Sequence, residues 1–336
     1  MVRRINFVIV ISIALMITAA TAYSQSANLI AAGQKEGKIV VYGSLESDTA
    51  DAAFNAFKKK TGIAVDYWRA SATTVMERAV NEYRAGKTLF DIVLSNDNPM
   101  RIMAKEGIFA KYDSPNYKDF PKEAIDPEIG LRYRNVIIGI VYNKGVLSPG
   151  DAPKTLEDLV KPQYRGKLVM PDPTQHTTTT QWVANLEKLM GKEKADKYIR
   201  DLAAQKPILV EALLPAAERV ATGETPIAIT YIKFVQTFGQ RGAPLDYVRT
   251  GKFMGEGHYV NLGNKAPHPN AGKAFIDYFL SGENMALIAK LGEFVNRKGI
   301  NPPIAEADKI QFVEMDNLDT KLFAEKKKEY QQIFLR

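Results

Sequence analysis

Apolar and polar positions along this chain switch between a strand-like and a helix-like period. Lys38 to Tyr42 (KIVVY) is a short apolar run that predicts a strand. From Thr49, a candidate cap, the apolar positions recur at helical spacing, with Phe54 and Phe57 three apart. Gly62, just past Lys60, supplies the stop. Ile63 to Trp68 reads as a second strand. A helix follows from Thr73 or Thr74 through Tyr83, ending near Gly86, and Phe90 to Leu94 (FDIVL) makes a third strand. Strand, helix, strand, helix, strand predicts a mostly parallel sheet flanked by helices.

The pattern then restarts. Strands are predicted at Val136–Tyr142, Lys167–Met170, Pro226–Tyr231 and, as an edge, Leu245–Arg249. Helices are predicted at Thr178–Met190, Lys192–Gln205, Ala216–Thr222, from Pro269 onward, and over Asp316–Phe334. No tandem repeat is visible. The expected fold class is α/β, with two units that each carry a mixed, mostly parallel sheet.

One stretch belongs to neither unit. Arg3 and Arg4 precede an uncharged run from Phe7 to Ala22, which closes on the small-x-small pattern Ala20-Thr21-Ala22. The run is short of the roughly 20 residues of a spanning helix and reads as a secretory signal peptide cleaved near Ala22. Removing it takes away two arginines and leaves 43 basic against 38 acidic residues, a charge of about +5. The expected location is the periplasm, for a soluble monomer. The chain has no cysteine, which excludes disulfides, thiolate metal sites and a lipidated cysteine anchor.

Ligands of open parallel sheets bind beyond the carboxyl ends of strands. That rule gathers three loops, Gly43–Asp48, Ser95–Asn98 and Asp172–Thr180, into one expected cleft. The densest polar run is PDPTQHTTTT, Pro171 to Thr180. Hydroxyls at a helix start, with free backbone N–H groups, make an anion seat, and Thr177 and Thr178 are its candidate contacts. His176 is a further candidate. Ser44, Ser95 and Asn96 end strands with donors and acceptors, as does Tyr231. Arg69 is suited to bidentate pairing with an anionic group. No G-x-S-x-G, Walker A, H-E-x-x-H or dinucleotide fingerprint is present, so no enzyme and no cofactor is expected. Nor is there a basic block with interleaved aromatics for nucleic acid.

Six segments resemble the exported type II solute-binding proteins of ABC importers. They are KIVVYGSLES, FKKKTGIAV, TLFDIVLSND, VIIGIVYNKGVL, KTLEDLVKPQYRGKLVMPDP and KAPHPNAGKAFIDYFLS. The last, Lys265 to Ser281, is the most specific. The cluster it resembles includes binders of ferric iron, thiamine, polyamines, phosphonates and sugar phosphates. The resemblance implies a two-lobed periplasmic-binding-protein-like fold. Lobe one would hold 38–134 plus 252–299, and lobe two 135–251 plus 300–336. A small-molecule solute would be captured in the interlobe cleft and passed to an inner-membrane ABC permease. Ferric binders resemble one another in two adjacent tyrosines after a strand; here that place reads Thr230-Tyr231-Ile232-Lys233-Phe234, so only Tyr231 matches and no metal site is expected. The neutral donor set therefore favours a small organic or phosphorylated anion. Ferric iron, through Tyr231, is the alternative. Thiamine or polyamines, with Asp97 and Asp172 as partners, are another, as is a ligand-sensing subunit for a membrane receptor.

Overall fold

The structure, a computed structural model, describes residues 27–335. The signal peptide expected at 1–22 lies outside them. Among the described residues no helix is long and apolar enough to cross a membrane. The described chain divides into two compact units, one of residues 27–95, 103–118 and 260–284, the other of 96–102, 119–259 and 285–335.

The first unit is built on strand Lys38–Gly43. It runs parallel to Ala64–Arg69 on one side, from Lys38↔Ala64 to Gly43↔Arg69, and to Ile92–Asn96 on the other, from Val41↔Ile92. Helices Ser47–Thr61 and Ala72–Arg84 make the crossovers. The first stops as the sequence predicts: Gly62 takes a left-handed φ of 76°, open to glycine at little cost, and its N–H returns to the Lys58 carbonyl. Phe54 and Phe57 both meet Phe275, edge-on, from helix Pro269–Phe279. The end of strand Lys252–Gly263 adds an antiparallel partner for Phe109–Ala110.

The specific run around His268 has a scaffold role. The buried Asp91 carboxylate accepts from the backbone N–H groups of Val40 and His268, at 2.7 and 2.6 Å, and lies 2.9 Å from His268 Nδ1. Glu36 accepts from the N–H groups of Asn270 and Ala271 at the start of the following helix. These two carboxylates pin the entry of helix Pro269–Phe279 and satisfy its first donors.

The second unit centres on strand Gly130–Asn143, twice the length the sequence suggests. Its early residues, including Arg132 and Arg134, are buried polar groups that mask a strand signature. It pairs antiparallel with Ile227–Tyr231, which lies parallel to Leu168–Pro171, and that strand parallel to Ile208–Val210. It also pairs antiparallel with residues 255–259 of Lys252–Gly263, whose earlier part lies parallel to Gln311–Glu314. At Gly255 a Cβ would stand 2.1 Å from the Val136 carbonyl oxygen, so the approach of the two strands requires glycine. The core gathers Trp182, Tyr198, Leu202, Ile229 and Tyr247.

Two predicted elements differ in extent. The helix expected over Thr178–Met190 is Thr177–Ala184 followed by Glu187–Met190. Asn185 separates them: its amide donates to the Gln181 and Asp316 carbonyls. The edge strand ends at Tyr247, because the Arg249 guanidinium folds back onto Asp246 and the Tyr247 carbonyl.

Candidate functional site

In the first unit, Ser44 and Ser95 leave neighbouring parallel strands at the same end, and the Ser44 N–H donates to the Leu94 carbonyl at 3.0 Å. The Ser95 hydroxyl is buried and has no hydrogen-bond partner. Arg69 donates from Nε to the Leu45 carbonyl at 3.1 Å, and Tyr67 donates to the same oxygen at 2.8 Å. Arg69 thereby holds the turn that carries Ser44.

The other candidates lie in the second unit, at the start of helix Thr177–Ala184. His176 is its N-cap. The imidazole Nδ1 accepts from the Thr179 N–H at 3.3 Å and sits 2.8 Å from the Thr179 hydroxyl. Burial pushes this imidazole down from 6.5 to about 4, so it is neutral and able to accept. Thr180 donates to the Pro173 and His176 carbonyls. Asp172 folds the preceding loop, accepting from the Thr174 N–H at 2.8 Å and from the Gln175 amide at 3.2 Å. Five of the polar side chains in PDPTQHTTTT, those of Asp172, Gln175, His176, Thr179 and Thr180, therefore shape the helix entry itself. Thr177 is half-buried at its first turn.

Thr178 is different. Its hydroxyl donates at 2.5 Å to Glu256 Oε1, which also accepts from the Asn96 amide. Glu256 sits between Gly255 and Gly257 and is buried. Burial raises its carboxyl from 4.5 to about 7; the hydrogen bonds from Thr178 and Asn96 pull it down, Asp97 adds to the rise and Arg134 opposes it. Asp97 in turn accepts from Tyr259 at 3.0 Å and pairs with Arg101 at 2.7 Å. The negative group that a helix start attracts is thus supplied from within the chain.

Tyr231 belongs to a buried charge cluster. Its hydroxyl donates to the Asn135 carbonyl at 3.0 Å and to Glu293 at 2.9 Å. Glu293 also pairs with Arg134, and with Lys233 at 2.7 Å. Burial alone would raise the Glu293 carboxyl; Arg134 and Lys233 outweigh it and hold the group well below the usual carboxylate range. Among the described residues no group of three or more His, Asp or Glu is placed to hold a metal ion. Sequence reasoning missed Glu256, Arg134 and Glu293. The one available signal is a carboxylate flanked by glycines, in the run GKFMGEG from Gly251 to Gly257.

Two α/β units of mixed sheet flanked by helices define the type II periplasmic-binding-protein architecture. The chain belongs to the bacterial extracellular solute-binding protein family, whose model matches residues 87–321. It is a periplasmic solute-binding component of an ABC importer and not an enzyme. Its fold is that of AfuA from Actinobacillus pleuropneumoniae with fructose-6-phosphate bound, at 20% identity and a TM-score of 0.71 over 88% of this chain and 97% of that one. It is equally that of iron-bound HitA from Pseudomonas aeruginosa, at 18% identity and a TM-score of 0.69 over 89% and 98%. By sequence it is 26% identical over 138 residues, 38% of each chain, to the Fe(3+)-binding periplasmic protein of Serratia marcescens. Among relatives whose names state a ligand, ferric iron recurs more often than an organic anion.

Proposed function

We propose that the cargo is ferric iron, delivered to an inner-membrane ABC permease. The observation that carries this reading is Glu256. An anion seated on Thr178 would meet a carboxylate already hydrogen-bonded there, whereas a hard cation would meet an oxygen acceptor. The ligands named for the relatives weigh the same way, against the preference for an organic anion drawn from the neutral donors. Tyr231 does not fit a metal as it stands, because its hydroxyl is engaged by Glu293 and Asn135 and Lys233 lies in the same cluster. Iron bound here would draw oxygen ligands from a chelating anion or water in addition to the protein.

A second reading, a phosphorylated or carboxylate solute, is favoured by the raised carboxyl of Glu256. Once protonated, it leaves the start of helix Thr177–Ala184 without a negative group. Thermal-shift titration of the exported chain separates the two, since a tight ligand raises apparent stability by mass action. Ferric citrate is expected to raise the midpoint where citrate alone does not. A shift with fructose 6-phosphate or a dicarboxylate, and none with ferric citrate, would establish the second reading and sink the first.

A further inference from the structure

The first unit contains a cavity of about 210 Å³ that neither Ser44 nor Ser95 lines. Its walls are mostly apolar, with Leu29 and Ile30 from the helix over 27–36 facing Pro115, Ala274 and Tyr278. That volume is below the range of drug-sized ligands and suits a short chain. Two charged residues line it, Lys60 and Asp277. Lys60 is already neutralised. It pairs with Glu283, and its ammonium stands 5.6 Å from the centre of the Tyr278 ring.

Asp277 is not. One carboxylate oxygen accepts from the Ser114 hydroxyl at 2.6 Å and the other from the Tyr112 hydroxyl at 2.9 Å. Both donors are neutral, and among the described residues no cation pairs with this group. Lys273, one helical turn earlier, lies over the Tyr112 ring instead. Each oxygen therefore keeps a lone pair to spare. The side chain lines the cavity and is only partly buried, so the carboxylate is open to it. Burial raises the carboxyl above its ordinary value, and the two hydroxyls pull it back down. The Asn116 amide donates to the Asp277 backbone carbonyl at 2.8 Å and fixes the segment Pro115–Asp119 against the helix. A carboxylate drawn out of water without a counter-charge is costly and marks a place for a cation.

We propose that this cavity is a second binding site, for a short primary alkylammonium. Its ammonium would donate to the spare lone pairs of Asp277, and its alkyl chain would lie against Leu29, Ile30 and Ala274. The proposal goes beyond the cargo reading and does not rest on it.

A matched series tests it on the exported chain by calorimetric titration at about pH 8: butylamine, 1-butanol and methylamine. Saturable binding of butylamine is expected, about tenfold tighter than 1-butanol, which lacks the charge. Methylamine, which lacks the chain, is expected to bind at least ~10-fold more weakly than butylamine. Asp277→Asn is expected to bring butylamine down to the level of 1-butanol while leaving ferric citrate binding unchanged. Should that variant fail to fold, Tyr112→Phe removes one neutral donor from the carboxylate and is expected to tighten butylamine about threefold. The proposal fails if butylamine shows no saturable binding, if 1-butanol or methylamine binds equally well, or if binding is unchanged in whichever variant folds. It also fails if ferric citrate displaces butylamine, since the two would then share one site.

Discussion

A buried carboxyl raised to about 7 ties this protein's stability to pH at Glu256. The folded state prefers the protonated form, so the contribution is complete below 4.5 and is lost as pH rises through 7. The loss is on the order of 3 kcal/mol. Glu256→Gln keeps the oxygen that Thr178 and Asn96 donate to. Its melting midpoint is expected to fall less than that of the unmodified chain between pH 5 and 8, read by circular dichroism. At His176 the sign is reversed. The imidazole is held neutral, so its cap is intact above 6.5 and is lost as pH falls toward 4. His176→Ala is expected to cost about 1 kcal/mol at pH 7.5 and progressively less at pH 4.5. The sequence places Thr178 and Asn96 at strand and helix ends, but their joint partner is 78 residues from one and 160 from the other. No local pattern carries that meeting. His176 was legible as a polar residue before a helix; its role as a neutral cap depends on burial.

At the scale of elements, strand pairing and the charge cluster are both open to test. Gly255→Ala drives a methyl group into the Val136 carbonyl, and either the backbone of strand Gly130–Asn143 or its own must move. The expected loss is at least ~2 kcal/mol by denaturant titration. Lys233→Met leaves Glu293 buried with one cation fewer, at an expected cost of about 3–5 kcal/mol. The three strands and two helices of the first unit were readable because their apolar periods are clean and their stops are glycines. The long central strand of the second unit was not, because Arg132, Arg134 and Asn135 interrupt its apolar run. They are tolerated inside only because Glu314, Glu293 and Asn296 meet them. Nothing in the neighbouring sequence announces partners more than 150 residues away. The split of helix Thr178–Met190 was hidden for a similar reason, since Asn185 acts through the Asp316 carbonyl.

At the scale of the whole molecule, the cargo and the protonation of Glu256 are linked. Asp97 and Arg134 act on its carboxyl from opposite sides of the balance. A cation binds the ionised form, so ferric citrate affinity is expected to strengthen as pH rises from 6 to 8. An organic anion favours the protonated form and would weaken over the same interval; calorimetry at three pH values decides between them. The family was legible from six short segments, of which the run around His268 was the most specific. Cargo was not, because it depends on which polar groups the fold has already satisfied. The chain's two tryptophans fall one to each unit. Trp68 packs against Tyr42 beneath the Arg78 guanidinium, and Trp182 is buried one helical turn beyond Thr178. Each unit therefore carries its own native fluorophore. Replacing one with phenylalanine turns the emission of the other into an optical report on a single unit, without any attached dye.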